Sequence, residues 1–258
     1  MHVANIPKWS RERMRSFLRD SHTVFIGDSL QQQFMETLVF AIRDTTSGTC
    51  QFVNRECEEE KNLELGCPPI TQTYQDTAFN ASVSIIRAVM MTMTPRPPNA
   101  KGRNKETENG WSKVLPTLKP KLLILNRGAH FVSDQPLLAR LKETFDFVSK
   151  LPNVSIIWRT TNTGHTNWKK VRLDEPLKSV ADAKNKDHNW PKFQLQNELV
   201  KKMIETYYPH ILFLDIWPST TLRADLHPDS DGLHYCMPGP IDNWVRLLHT
   251  TLAYLESQ

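Results

Sequence analysis

Five β-prone apolar runs, at residues 23–27, 83–91, 121–126, 153–158 and 211–216, alternate with helical periodicity at about 29–43, 135–150, 191–207 and 239–255. That order constrains the fold more than any other feature of the chain. The runs "KLLILN" and "VSIIW" are apolar without alternation, so a strand made of either must be covered on both faces. Strands buried on two sides and separated by helices make a mostly parallel sheet with helices on each face. The expectation is an α/β fold, a three-layer α/β/α sandwich, in a single domain over residues 1–258 with its core at about 22–255. A chain of 258 residues with 39% hydrophobic content can bury one core of that size.

Three stretches interrupt the alternation. Residues 44–80 are polar and hold three of the four cysteines, residues 94–112 are rich in Pro, Asn and charge, and residues 160–190 form a third insertion; all three are read as long loops. Loops of this length in a compact domain commonly carry function.

Composition excludes several partners. The net charge of +4 comes from 32 basic and 28 acidic residues spread along the chain, without the dense basic tract that follows a phosphate backbone, so nucleic acid is not expected. No run approaches the roughly 18–20 apolar residues of a bilayer span, and "MHVANIPKWSRERMRSF" lacks the apolar segment of a signal peptide, so neither anchor nor signal is read in this sequence. Cys50, Cys57, Cys67 and Cys236 allow one local bridge and one to the C-terminal region, or four free thiols. No CxxC pair is present to support a zinc site with His227 or His234, and no metal is expected. Sequons at Asn80 and Asn153 are compatible with a secretory route.

Chemistry enters at "TVFIGDSLQQQF", residues 23–34, where a short strand turns into a helix whose apolar stripe is Leu30, Phe34, Leu38 and Ile42. Asp28 or Ser29 can cap that helix. In an open α/β sheet the ligand crevice lies beyond the carboxyl ends of the strands, and Ser29, Asn126 and Arg159 all fall there. Far downstream, "DGLHYCMPGPIDNW" at 231–244 places Asp231 three residues before His234. A carboxylate so placed can reach the imidazole Nδ1–H and leave Nε2 free to take a proton. A hydroxyl is a poor nucleophile at neutral pH, so it needs such a base and an orienting group behind it. Ser29, His234 and Asp231 supply nucleophile, base and orienter.

Acyl transfer also needs donors for the oxyanion. The side-chain amide of Asn126 and the backbone amide of Ser29 are the candidates, and one well-aimed amide lowers the barrier by roughly 3 kcal/mol; Asn126 can instead simply serve the turn it begins. Asp28, Arg159, His130 and His165 are candidates for binding substrate; Arg159 can instead pair with a crevice carboxylate. Trp111, Trp158, Trp168, Trp190 and Tyr235 are either faces for sugar rings or core. His227, in "LHPD", is a rival base without an Asp three residues earlier.

Together, "GDS" at 27–29 and "DGLHYC.PG" at 231–239 resemble the SGNH/GDSL superfamily, specifically its trichome birefringence-like and PC-esterase branch of polysaccharide O-acetyltransferases. "LNRGAH" (125–130) is similar to that branch's Asn-x-Gly-His block, "WRTTNTGH" (158–165) to its Arg-Thr block, and "LDIWPSTTLRADLHPD" (214–229) to the segment before its Asp-x-x-His. Gly232 and Tyr235 stand where plant members carry Cys and Trp, so one family disulfide cannot form, and Ala129 shifts His130 by one position. The resemblance implies an SGNH-hydrolase-like fold and a serine-dependent O-acetyltransferase. It would pass an acetyl group from a donor such as acetyl-CoA, used as co-substrate with no bound cofactor, to a carbohydrate hydroxyl in the Golgi lumen. The same residues acting with water make a carbohydrate esterase, and a glycan-binding module with a vestigial triad is the reading from a different class.

Overall fold

The computed structural model describes residues 8–43, 50–53, 70–88, 91, 110–165, 175–183, 187–228 and 232–257. In chain order the elements are α1 (Arg11–Leu18), β1 (His22–Gly27), α2 (Ser29–Ile42), β2 (Cys50–Val53), β3 (Ile70–Asp76), β4 (Ala81–Arg87) and α3 (Trp111–Leu118). There follow β5 (Leu122–Leu125), α4 (Asp134–Val148), β6 (Ser155–Arg159), α5 (Phe193–Tyr207), β7 (Ile211–Leu214), α6 (Trp217–Thr220) and α7 (Pro240–Glu256).

The strands form one seven-stranded sheet in the order β2-β3-β4-β1-β5-β6-β7. Pairings β4–β1, β1–β5, β5–β6 and β6–β7 are parallel, and β2–β3 and β3–β4 are antiparallel. The expected mostly parallel α/β/α sandwich is therefore found, and the period of the strands explains its two cores. Phe25, Ile85, Ile124, Ile157 and Leu214 point to one face, against Met14 and Leu18 of α1, Phe34 and Leu38 of α2 and Trp244 and Leu248 of α7. Their neighbours Val24, Ile26, Ile86, Leu123, Leu125, Ile156 and Trp158 point to the other, against Trp111 and Leu115 of α3, Phe145 of α4 and Val200 and Ile204 of α5. Successive residues of a strand face opposite layers, so doubly covered strands must be apolar throughout.

Two loop expectations need correction. The 44–80 stretch contains β2 and β3, which extend the sheet as an antiparallel hairpin-like edge. Their sequences, "CQFV" and "ITQTYQD", mix polar residues among the apolar ones and lack the continuous apolar signature of the central strands. Of the 94–112 stretch, 94–109 lies outside the described residues, and Trp111 begins helix α3, whose interior Pro116 hides it from a periodicity reading. Helix α1 is short and has Ser10 as its cap, the hydroxyl accepting from Arg13 N at 3.2 Å.

Among the described residues, no helix is long and apolar enough to cross a membrane. Cys236 carries a free, exposed thiol. Cys57 and Cys67 lie outside the described residues, and of Cys50 only its backbone place in β2 is described.

Candidate active site

The parallel pairing of β1, β5 and β6 brings Gly27, Leu125 and Arg159 to one end of the sheet. The turn after β1 divides its two polar residues between two tasks. Asp28 is the cap: its Oδ1 accepts from Leu30 N at 3.0 Å and Gln31 N at 3.3 Å. Its Oδ2 accepts from Ala129 N at 2.9 Å, which ties the turn after β5 to the start of α2. Asp28 is buried at 1% exposure and so is a structural carboxylate, not a group lining a substrate groove. Ser29 is then relieved of capping. Its half-buried hydroxyl lies 2.7 Å from His234 Nε2, across 205 residues of chain.

That contact fixes the chemistry available to the pair. For the serine O–H to donate, Nε2 must be bare, which puts the ring proton on Nδ1, the tautomer a general base requires. Asp231, the expected orienter, lies outside the described residues. The Ser29 backbone amide opens the first turn of α2, where unsatisfied N–H groups and the helix dipole favour negative charge.

The loop bearing His234 is held from two sides. From α2, Gln33 Nε2 donates to Tyr235 O at 3.1 Å. From the segment after β6, His165 N donates to Gly232 O at 2.7 Å. The ring of His227 contacts the His234 carbonyl through Nδ1 and His165 Nδ1 through Nε2, the latter at 2.7 Å, and stacks on Tyr235 with centroids 4.6 Å apart. His227 is thus not the partner of Ser29. His165, expected at a groove, is buried; its Nε2 donates to Thr221 O at 2.8 Å, and burial pushes its proton affinity below the ordinary value.

Asn126 and Arg159 form a buried polar layer beneath the serine, both at 0% exposure. The Asn126 amide donates to Arg159 O at 2.9 Å and to Thr161 Oγ1 at 3.1 Å, which engages both of its hydrogens. Its Oδ1 accepts from Gly128 N and from Arg159 Nη2, each at 2.7 Å. As placed, Asn126 shapes the Gly128 turn and offers no free hydrogen to an oxyanion. Arg159 Nε donates to Gln31 Oε1 at 2.7 Å, Nη1 to Thr160 O at 3.0 Å, and the guanidinium sits 4.7 Å from the Trp244 ring centroid. Burial lowers its pKa to about 10, opposed by the charge of Asp28, so it remains a cation at neutral pH. The guanidinium is thus bonded to the Gln31 and Asn126 amide oxygens and the Thr160 carbonyl, with the charge of Asp28 nearby. His130 is exposed, the one binding candidate on the surface among the four.

Gly128 makes the close approach possible. Its φ is +91°, and a Cβ there would lie 2.5 Å from the Asp28 carboxyl. Trp111, Trp158, Trp190 and Tyr235 are all buried core, and Trp168 lies outside the described residues.

Sequence reasoning overlooked the run Gln31-Gln32-Gln33. Gln31 joins α2 to Ile124 O at 2.9 Å and to Arg159, Gln32 accepts from Arg87 Nη1 at 2.7 Å, and Gln33 holds the His234 loop. One signal was available: Gln31 precedes Met35, Leu38 and Ile42 at helical spacing, a polar side chain on a buried stripe. Among the described residues no group of three or more His, Cys, Asp or Glu is placed to hold a metal ion.

The chain is 21% identical over 97% of its length to Protein trichome birefringence-like 4 of Arabidopsis thaliana, of which it spans 64%. The likeness read from the short blocks is thus found again across nearly the whole sequence. No family model matches the chain. Similar solved structures include the periplasmic domain of a Salmonella ser. Paratyphi A lipopolysaccharide acetyltransferase, at 10% identity and TM-score 0.49 over 93% of this chain and 86% of that one. Another is the C-terminal catalytic domain of a Streptococcus pneumoniae peptidoglycan O-acetyltransferase with a methylsulfonyl adduct, at 12% identity and TM-score 0.42 over 93% and 94%. At those values neither structure bears on the site, which stands on the chain's own geometry.

Proposed function

We propose that this protein is a serine-dependent O-acetyltransferase acting on a carbohydrate. The observation that carries the reading is the 2.7 Å approach of His234 Nε2 to Ser29 Oγ at the carboxyl end of a parallel sheet. A serine at a helix N-terminus with an imidazole on its hydroxyl is a nucleophile and base within reach of each other. Capping of α2 does not call for that pairing, because Asp28 already performs it.

The mechanism follows from the atoms. His234 takes the hydroxyl proton at Nε2 while Ser29 Oγ attacks the carbonyl carbon of an acetyl donor. The backbone amide of Ser29 stabilises the tetrahedral oxygen, assisted by the N-terminal end of α2. Collapse of that intermediate expels the donor's leaving group, which takes the proton from His234, and leaves acetyl-Ser29. A sugar hydroxyl, deprotonated by the same ring, then attacks the ester carbonyl; the Ser29 Oγ–acyl bond breaks, Oγ takes the proton back from His234, and the acetylated sugar leaves. Asp231 is assigned to Nδ1 on its sequence position, as the group that stabilises the transient imidazolium. Asn126, Arg159 and Gln31 do not touch the reacting atoms in this scheme; they hold the floor on which Ser29 and the Gly128 turn rest.

The carbohydrate acceptor, an acetyl-CoA-like donor and the Golgi lumen come from the likeness to the trichome birefringence-like protein and its family. The half-buried position of Ser29 and His234 favours one further outcome, hydrolysis of the acetyl-enzyme by water when no sugar is bound. Incubation with labelled acetyl donor, with and without xylan- and mannan-type oligosaccharides, separates the two. Labelled acetyl esters on the sugar support transfer; free acetate alone, unchanged by sugar, supports the esterase; equal activity in Ser29→Ala removes the serine mechanism in both forms.

A further inference from the structure

Three hydrogen bonds meet at the ring pair His165–His227, and they cannot all form with two neutral rings. His165 Nε2 faces the carbonyl of Thr221 and His227 Nδ1 faces the carbonyl of His234. Carbonyl oxygens only accept, so both of those nitrogens must carry hydrogen. With one hydrogen on each neutral ring thereby assigned, His165 Nδ1 and His227 Nε2 would confront each other at 2.7 Å with bare lone pairs. A third proton turns that repulsion into a hydrogen bond.

We infer that His227 is held as an imidazolium in the folded protein and acts as a positioning residue, clamping the main chain at His234 so that its ring meets Ser29. The inference rests on the serine reading proposed above for its catalytic consequence, though the proton count itself does not.

The surroundings settle which ring holds the charge. His165 is buried at 2% exposure, and its loss of water lowers its proton affinity, so it serves as the neutral acceptor. His227 is half-buried and lies face to face with Tyr235, an aromatic surface that favours a cation. Asp225 lies in the same turn, with Arg223 clamped on its carboxylate at 2.9 Å through both Nε and Nη2, and its charge acts on His165 to raise its proton affinity. Asp225, Arg223, Tyr235 and His234 are thus titratable or charged groups close to the pair.

The functional consequence is a pH dependence with two separate origins. Activity has the acidic limit that any histidine general base imposes, because the base must be unprotonated to act. It falls at higher pH as His227 loses the shared proton, the two lone pairs repel, and the anchor on the His234 carbonyl is released. Asparagine at position 227 can still donate to that carbonyl from a neutral side chain, so it removes the second origin alone.

Two measurements on the full chain test this. The first is nitrogen-15 NMR of the ring nitrogens in the unsubstituted protein at neutral pH: both nitrogens of His227 protonated and His165 neutral is the expected result, and a neutral His227 overturns the inference. This reading needs neither a variant nor activity, so it decides the point even if His227→Asn fails to fold. The second is the pH profile of Ser29 labelling by a fluorophosphonate. His227→Asn should lower the maximal rate about tenfold, a modest share of the roughly 100-fold that a 1 Å misplacement can cost, and abolish the alkaline fall while keeping the acidic limb. An unchanged alkaline fall in His227→Asn overturns the positioning role. If the unsubstituted protein does not label at Ser29 at all, the serine reading fails and the positioning role with it, while the NMR result still decides the charge on His227.

Discussion

Asp28 Oδ2 accepts a hydrogen bond from the Ala129 amide at 2.9 Å, so one carboxylate caps α2 with one oxygen and anchors the turn after β5 with the other. The neighbouring Ser29 is left to His234 because Asp28 performs both tasks. Replacing Asp28 by Ala removes a helix cap, with a typical cost of about 1 kcal/mol, and removes the buried charge that faces Arg159. The expected loss is about 3 kcal/mol in urea unfolding. Asp28→Asn should lose less, since its amide oxygen still caps α2 even though its NH2 cannot accept from Ala129.

Gly128 sits against that carboxylate with φ +91°, where an added Cβ would meet it at 2.5 Å. Gly128→Ala must either push Asp28 off its amides or strain the turn, and about 1–3 kcal/mol of stability should be lost by thermal or urea unfolding. Acyl transfer should fall with it. An unchanged rate would mean that the turn does not position the site.

Arg159 is the fork that joins Gln31 of α2 to Asn126 of β5's carboxyl end. Arg159→Met leaves both amide oxygens, of Gln31 and Asn126, and the Thr160 carbonyl short of a donor and Asp28 without its cation, and the loss should exceed about 3 kcal/mol. Arg159→Lys should not restore stability, because an ammonium cannot present the planar donors that meet both oxygens. Comparing the unfolding midpoints of the two variants checks this.

The cost of acid is legible in two histidines remote from the serine. Burial lowers the proton affinity of His22, opposed by the Leu118 carbonyl, and burial followed by the charge of Arg13 lowers that of His249. His249 sits edge-on between Trp9 and Phe17 with Nε2 lacking a hydrogen-bond partner. The unfolded chain therefore binds more protons than the folded one as pH falls through the ordinary histidine value near 6.5, and stability must decline with it. His249→Phe should flatten that decline in urea titrations from neutral to acidic pH, at little cost in the aromatic packing of α1 on α7.

How much of this was readable beforehand depended on whether a feature has a period. The parallel strands and four long helices announce themselves, because double burial demands continuous apolar runs and a packed helix face repeats every three to four residues. β2 and β3 lack that demand, being at the antiparallel edge, and α3 is obscured by Pro116. The serine and its histidine could be named from two short blocks, but their meeting is a product of topology: β1 is central and α7's leading loop crosses its end. Asn126 and Arg159 were expected at strand ends and lie there, but buried beneath the serine. A sequence position does not say whether an amide points into the cleft or beneath it, and here each satisfies the other. The Gln31–Gln33 run was overlooked for the same reason, since three consecutive glutamines on a helix point in three directions.

The most direct test of the account is covalent labelling with a fluorophosphonate followed by peptide mass spectrometry. Ser29 should carry the adduct, Ser29→Ala should abolish it, and His234→Ala should slow it by at least about 100-fold, the usual contribution of a positioned base being about 100- to 10,000-fold. A folded protein that leaves Ser29 unmodified, or a His234→Ala variant that labels at the unsubstituted rate, would contradict it.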